Sequence, residues 1–313
     1  MNQTPSIVVV GAGGLGCPAV WGLVESSVGD QSITIRVLDP DSIELSNLNR
    51  QVFFSAADIG SSKAEVLCRE AAKLVGDRTV TLSARRIALT PETISSLLEG
   101  ASCVIDATDS VPTKFLINDY CVSNRIPFCY AGALATTGQL LAYNPRATRP
   151  GCLRCMFGEL SEAEASARAA SCREGGIFGP VVGLIGALQA EAALDLLRGE
   201  PGSGSPFFRF ELLKLGQVWS EIQAADDCPL GCGFHPRHVL DLRQKRCPAT
   251  FLYTKLALEQ LAGSDALDVR YGSMESVTNV IASAAEEGFR AVTEPREIAQ
   301  SEFRVVFQRS SGS

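Results

Sequence analysis

Three sets of residues in this chain have types and spacings that could do chemistry. The first surrounds a glycine turn. In GAGGLG, Gly11, Gly13 and Gly16 form G-x-G-x-x-G, with Gly14 inside it. Small residues there let backbone N–H groups approach a phosphate at the positive end of a following helix. Asp39 closes the next strand-like run, where a carboxylate accepts hydrogen bonds from ribose hydroxyls. Up to this point the pattern suits a nicotinamide or flavin enzyme as well as any other nucleotide binder. The stretch DPDSIELSNLNRQ then adds Asp41, Ser46, Asn47 and Arg50; Lys63 follows, and Asp109 and Ser110 end a later apolar run. Hydride transfer has no use for cations at the pyrophosphate. Cleavage between the α- and β-phosphates does, because charge moves onto the phosphate oxygens in the transition state. Arg50 and Lys63 suit that task, and Asp109 suits a magnesium ion. The blander alternatives are a surface ion pair for Lys63 and a helix cap for Asp109.

The second set is four cysteines in two pairs, Cys152 and Cys155 as C-x2-C and Cys228 and Cys232 as C-x3-C. Four thiolates in short-range pairs make a closed tetrahedral zinc site, structural because no coordination position is left for a substrate. Gly231 is the extra residue in the second pair. His235 and His238 stand beside it, but four thiolates suffice. Free thiols without metal, or a redox C-x-x-C, are the alternatives, and the thioredoxin context is missing. Cys17, Cys68, Cys103, Cys121 and Cys129 sit in apolar or helical settings and read as small buried residues.

The third set is two lone cysteines. Cys172 ends a small, polar stretch, Ser161–Ser171, that reads as a mobile loop. Cys247 precedes Pro248 in DLRQKRCPATF. A helix starting near Pro248 would put proline where its missing N–H costs little and Cys247 at the N-cap. The helix dipole and Arg243, Lys245 and Arg246 would then favour its thiolate. A merely structural cap is the alternative.

The elements that must position these residues follow a β/α alternation: a strand at Ser6–Val10, a helix at Cys17–Ser26, a strand ending at Asp39, a helix near Ser62–Val75, the strand TVTLSARRI, and SCVIDATD ending at Asp109. That order implies a parallel doubly wound sheet. Another helix–strand pair follows Asn118, then polar hairpin strands around GQLLAYN, a helix at Val181–Leu197 and a loop at EPGSGSP. Turn residues cluster at 226–238. Beyond them HVLDLR, a helix at Pro248–Leu261, ALDVRYG, a helix at Ser276–Glu287, FRAVTE and FRVVFQR give β-α-β-α-β-β, enough for a small second domain.

The chain has 313 residues, 46% of them hydrophobic and 20% charged, with a net charge of -7. This is the balance of a globular fold without extended disorder, and it disfavours nucleic acid as the main partner. The start runs into a strand without the flank of a signal peptide, so a cytoplasmic setting is expected. The apolar run Gly175–Leu188 is too short to span a bilayer, and no membrane association is expected. Eleven cysteines there point to metal or redox work rather than disulfides.

Residues from Ile7 to about Cys232 resemble the ThiF/MoeB/HesA adenylyltransferases, relatives of ubiquitin-activating enzymes. The resemblance rests on GAGGLG, DPDSIELSNLNRQ, Lys63, DATDS, the CLRC and CPLGC pairs and SCREGGIFGPVVGLIGALQAEAALDLL. It implies adenylation, with MgATP and release of pyrophosphate, of the C-terminal carboxylate of a ubiquitin-like sulfur carrier ending in Gly-Gly. It places Gly14, Arg50 and Lys63 at the phosphates, Asp39 at the ribose and Asp109 at the metal, and implies a homodimer. Cys172 matches a cysteine that can attack the adenylate or be joined to the carrier, or that serves only conformation. Family members usually begin with a helical arm whose arginine reaches the partner's ATP; only a few residues precede the first strand here.

The last 75 or so residues resemble the TusA/SirA sulfur-relay family through LDLRQKRCPATFLYTKLALEQL and ALDVRYG, with Thr250 where the usual motif has a second proline. That resemblance makes Cys247 a persulfide carrier supplied by a cysteine desulfurase or another donor. The expected architecture is thus α/β: a Rossmann-like doubly wound sheet of the ThiF/MoeB type with a zinc knuckle over 1–233, and a small α+β two-layer domain over 238–313. The expected function is carrier adenylation followed by thiocarboxylate formation, with ATP, magnesium and zinc. Adenylation of a peptide or small carboxylic acid, and a nucleotide-bound scaffold recruiting a desulfurase, are the rival readings.

Overall fold

Ile7–Val10 is buried on both faces, as a central strand of a covered parallel sheet must be. The computed structural model describes residues 4–26, 32–76, 78–158, 177–199, 202–225, 228–230, 232, 238–245, 249–259, 261 and 266–310. Chain order in the first unit is β1 (Ser6–Val10), α1 (Gly16–Ser26), β2 (Ile33–Leu38), α2 (Lys63–Ala72), β3 (Val80–Arg85), α3 (Ile94–Leu98), β4 (Cys103–Asp106), α4 (Val111–Asn124), β5 (Phe128–Leu134), β6 (Thr137–Tyr143), α5 (Leu153–Phe157), α6 (Gly179–Arg198), β7 (Ser205–Glu211) and β8 (Gly216–Ile222).

The eight strands lie in the order β3-β2-β1-β4-β5-β6-β7-β8. The first five are parallel, and β5 through β8 form an antiparallel meander. The order reverses between β1 and β4, so a crevice opens at their carboxyl ends, where doubly wound sheets bind ligands. One apolar core joins α1, α2 and α6 to the sheet, and a second joins the opposite face to α3, α4 and the four paired cysteines. The doubly wound architecture expected from the β/α alternation is therefore present. The strands β7 and β8 and the short α3 were not among the expected elements, and α4 begins at Val111, ahead of Asn118. Phe207, Arg209 and Trp219 show no clean polar/apolar alternation that would separate these strands from a loop.

At 20 residues, α6 is long and apolar enough by length and composition to cross a membrane. It packs instead against α1, β4, β5 and β6 as a core helix.

The second unit contains β9 (His238–Leu242), α7 (Ala249–Glu259), β10 (Ala266–Tyr271), α8 (Met274–Glu286), β11 (Phe289–Ala291), β12 (Arg296–Ala299) and β13 (Glu302–Arg309). Its strands run β11-β13-β10-β9, with β12 also on β13. Leu267, Val269 and Tyr271 of β10 face the core beneath α7 and α8. This is the expected two-layer α+β arrangement, one strand richer than the sequence pattern suggested.

Candidate functional site

Backbone geometry builds the phosphate end of the crevice. Gly11 has φ +100°, and a Cβ there would lie 2.6 Å from the Ala107 carbonyl, so only glycine fits. A Cβ on Gly16 would lie 2.0 Å from the Gly11 carbonyl, which is how α1 is seated tightly against β1. The Asp39 carboxylate accepts the Ala12 amide at 2.6 Å and the Asp41 amide at 2.8 Å. It thereby fixes the glycine turn to the end of β2. An ionised carboxylate has about four lone-pair sites, so two remain for ribose hydroxyls. Burial raises the Asp39 pKa above the ordinary carboxylate value, against the opposing pull of those two amides and of Lys63.

Lys63, the first residue of α2, is largely buried, and its ammonium lies 2.8 Å from the Asp41 carboxylate. Ser62 caps the helix, and the Lys63 amide donates to the Asp41 carbonyl at 3.1 Å, so both ends of the lysine are positioned. Arg50 donates to the Ser46 carbonyl at 2.9 Å and to Asn49 Oδ1 at 3.0 Å. Ser110, not Asp109, caps α4 by accepting the Thr113 amide. Asp109 is exposed and has no hydrogen-bond or ion-pair partner among the described residues, so it is available to a cation.

One cavity of about 680 Å³ brings together Gly11, Gly13, Gly14, Asp39, Asp41, Arg50, Lys63, Asp109 and Ser110. Gly16, Ser46 and Asn47 are not in its wall. Gly16 serves helix packing, Ser46 offers its carbonyl to Arg50, and Asn47 is buried with Oδ1 accepting the Glu44 amide at 3.1 Å.

The cavity extends beyond the nucleotide end onto β5, β6 and β7, where it includes residues that carried no recognisable motif. Lys114 on the first turn of α4 lies 3.2 Å from the fully buried Asp106 carboxylate, donates to the Ala131 carbonyl at 2.7 Å, and sits 4.9 Å from the Tyr130 ring centroid. Gln139 donates to the Tyr130 hydroxyl at 2.7 Å. Arg209 lines the same wall, opposite Gln139 in the β6–β7 register, and has no ion pair among the described residues. Its strand arrives 100 residues after Asp109, so no sequence spacing could tie it to the site. Only Lys114, five positions beyond Asp109 on a helix start, carried a usable signal. Gln51 also lines the cavity, and its Oε1 is buried without a partner. An unpaired buried acceptor facing a cavity calls for a ligand donor. With the glycine turn, the free carboxylate sites of Asp39 and the cations, the residues present fit a nucleoside triphosphate.

Cys152, Cys155, Cys228 and Cys232 converge, with all four sulfurs within 4.8 Å of one another. Cys152 Sγ lies 3.8 Å from both Cys155 Sγ and Cys228 Sγ, and Cys228 Sγ lies 3.3 Å from Cys232 Sγ. Tetrahedral zinc–thiolate bonds of about 2.3 Å put sulfurs about 3.8 Å apart, so the donor set fits zinc in size and kind. The neighbouring thiols hold Cys155 and Cys228 below the usual thiol range, while burial pushes Cys152 up. The five other described cysteines are all buried, and burial pushes Cys17 and Cys68 up to about 12, as expected of inert core thiols.

Cys172 and the stretch Ser161–Ser171 lie outside the described residues, and so do Arg246, Cys247 and Pro248. The helix after Cys247 is described over Ala249–Glu259, within the expected Pro248–Leu261. Of the cations expected to act on Cys247, Arg243 and Lys245 are among the described residues. Arg243 bonds to Asp241 at 2.8 Å and Glu302 at 2.9 Å, and the Lys245 ammonium lies 5.8 Å from the Tyr253 ring centroid.

Residues 2–230 match the sequence model of the ThiF family, and residues 238–309 match that of sulfurtransferase TusA. The adenylyltransferase and sulfurtransferase uba4 of Pyricularia oryzae is 40% identical over 201 residues, which cover 62% of this chain and 39% of that protein. The sulfur carrier protein ThiS adenylyltransferase of Escherichia coli is 36% identical over 193 residues, covering 62% of this chain and 72% of that protein. The chain thus spans about two fifths of the length of the uba4 relative. Among solved structures, Escherichia coli MccB with ATP is similar in fold, with a TM-score of 0.59 at 24% identity, covering 73% of this chain and 66% of that one.

Proposed function

This chain belongs to the ThiF family, and on that footing we propose that it adenylates the C-terminal carboxylate of a ubiquitin-like sulfur carrier ending in Gly-Gly and then converts it to a thiocarboxylate. The observation that carries the reading is the continuous cavity. It runs from the glycine turn and Asp39, past Lys63 and Asp109, to the wall formed by Gly132, Gln139 and Arg209. That is room for a nucleotide at one end and an extended acyl tail at the other.

In the first step a carrier carboxylate oxygen attacks the α-phosphorus, the α–β bridging bond breaks and pyrophosphate leaves. Arg50 and Lys63 take up the charge developing on the phosphate oxygens, and Asp39 holds the ribose. Magnesium, held by Asp109, would neutralise phosphate charge. In the second step the terminal sulfur of a persulfide on Cys247 attacks the acyl carbon, and AMP leaves. A thiol, for which Cys172 is the proposed residue, then attacks the Cys247 sulfur. This releases the thiocarboxylate and leaves a disulfide that an external thiol reduces. Placing both reactions in one chain, with a division near 233–238, raises the effective concentration of the second step.

A cysteine desulfurase or comparable persulfide donor, a cytoplasmic setting and a homodimer complete the proposal. Exposed Trp21, Phe178 and Leu184 on and beside α1 and α6 support an apolar subunit interface. The test is intact-mass analysis of a Gly-Gly carrier with ATP and a persulfide donor, beside ATP–pyrophosphate exchange. Carrier-dependent exchange that survives Cys247→Ala while thiocarboxylate formation is lost supports the division of labour. Exchange without any carrier, or exchange lost with Cys247, counts against it.

A further inference from the structure

The outer face of the second sheet is covered along β10, β12 and β13 rather than left to solvent. Along β10, Leu267, Val269 and Tyr271 point to the core under the helices, and the intervening Asp268 and Arg270 point to the first unit. Arg270 donates to Asn124 Oδ1 at 2.7 Å and to the Ser123 carbonyl at 2.8 Å, at the end of α4. Arg304 on the neighbouring β13 is buried against Asp268 at 3.0 Å. Ala299 of β12 is buried in the first unit's own core, and the Gln300 amide donates to the Pro91 carbonyl at 3.2 Å.

Two contacts reach the cysteine loops, one directly and one through Asp119. Arg304 Nη1 donates to the carbonyl of Leu230, inside the Cys228–Cys232 loop, at 2.6 Å. Arg154, inside the Cys152–Cys155 loop, bonds through Nε and Nη2 to both oxygens of buried Asp119 at 2.9 and 2.8 Å. Arg296 of β12 bonds to Asp119 Oδ2 at 2.9 Å. Each cysteine pair therefore carries one contact toward the second unit, direct through Leu230 and relayed through Asp119.

We propose that the cysteine knuckle is a latch for the second unit. A metal ion that ties the two loops together holds Leu230 and Arg154 in the positions that Arg304 and the Asp119–Arg296 pair require, so metal occupancy fixes how the sulfur-transfer unit is seated. The inference rests on the fit of the four sulfurs to zinc and stands whether or not the chain adenylates a carrier. Thermodynamic reciprocity adds that seating must raise the metal affinity by the factor through which metal strengthens seating.

The experiment uses the full chain and follows hydrogen exchange residue by residue, with the Gln300 amide as the reporter of the interface and the Val305 and Phe307 amides as internal controls. Removing the metal with a chelator is expected to accelerate Gln300 exchange about tenfold or more while Val305 and Phe307 stay protected. Unchanged Gln300 protection in the stripped protein overturns the proposal. Should stripping also expose the amides of β1 and β4, the metal-loaded Arg296→Gln protein decides. Buried Asp119 keeps both of its bonds from Arg154 in that variant, so the loss of Arg296 does not strand a buried charge. A metal affinity about fivefold weaker than the parent's, measured by equilibrium competition with a chelating dye, supports the latch, and equal affinities overturn it.

Discussion

Asp39 Oδ2 accepts the Ala12 amide at 2.6 Å, which joins the glycine turn and the end of β2 into one rigid corner before any nucleotide arrives. Preorganisation of this kind removes an ordering cost from binding. Replacing Asp39 with alanine strands two backbone donors and removes the ribose acceptor. With each charge-assisted hydrogen bond worth about 1.5–3 kcal/mol, a rise in the KM for ATP of roughly 10- to 100-fold is expected in steady-state kinetics.

The same carboxylate sets a pH dependence. Burial raises the folded-state pKa of Asp39, so the folded chain keeps this proton to higher pH than the unfolded chain does. The stability contributed by the protonated form is fully present below the unfolded value and is lost as pH rises through the folded one. Nucleotide affinity moves the other way, because ribose hydroxyls need the ionised acceptor. ATP affinity measured calorimetrically should therefore begin to fall, on acidification, at a pH above the ordinary aspartate range. Asp39→Asn should bind more weakly and lose that slope.

Lys63 separates chemistry from folding. Its partner Asp41 is largely exposed, and such pairs contribute only about 0–1 kcal/mol to stability. Lys63→Ala should accordingly unfold within a few degrees of the parent. Removing a cation aimed at developing phosphate charge should cost about 10²–10³-fold in kcat for carrier-dependent pyrophosphate exchange. A large loss of Tm with little loss of kcat would return Lys63 to the role of a structural ion pair.

Lys114 should behave in the opposite sense. Its ammonium and the Asp106 carboxylate are both buried, so Lys114→Ala leaves a buried charge whose remaining partners are the Thr108 amide and hydroxyl. Breaking such a pair costs about 3–5 kcal/mol, readable as a lower urea midpoint with an unchanged m value. Because Lys114 also lines the cavity, a loss of activity alone would not separate the two effects.

Which features were legible follows from where their causes lie. Asp39, Lys63 and Asp109 sit at the ends of elements whose patterns are local, so motif and strand end coincide and the nucleotide corner could be read directly. The four cysteines were legible because their pairing is local within each loop, although nothing in the spacing shows that Cys152 and Cys228 meet. Arg209 and Gln139 become neighbours only through β6–β7 pairing, and a register is not written in either strand alone. The polar face of ALDVRYG misleads for a different reason. Alternation of period 2 ordinarily marks one buried and one solvated face, yet Asp268 is buried because Arg304 pairs with it and the first unit covers both. A buried ion pair and an exposed one leave the same trace in sequence.

Gly16 offers the sharpest steric test of the corner with which the site begins. A methyl group there would stand 2.0 Å from the Gly11 carbonyl and 3.6 Å from Ala107 Cβ, and the first of these is backbone that no rotamer change can move aside. Gly16→Ala must therefore push α1 away from β1 or displace the turn. Overpacking of this kind costs about 1–3 kcal/mol, and here the displaced turn carries the Ala12 amide held by Asp39. The expected outcome is a lower Tm together with weaker ATP binding. Gly60→Ala is the control: its φ of +88° strains a side chain, but nothing lies within 4 Å of the added carbon, so it should lose some stability and leave ATP affinity unchanged. Equal effects of the two substitutions on ATP affinity would show that the close approach of Gly16 to Gly11 is not what shapes the phosphate end of the site.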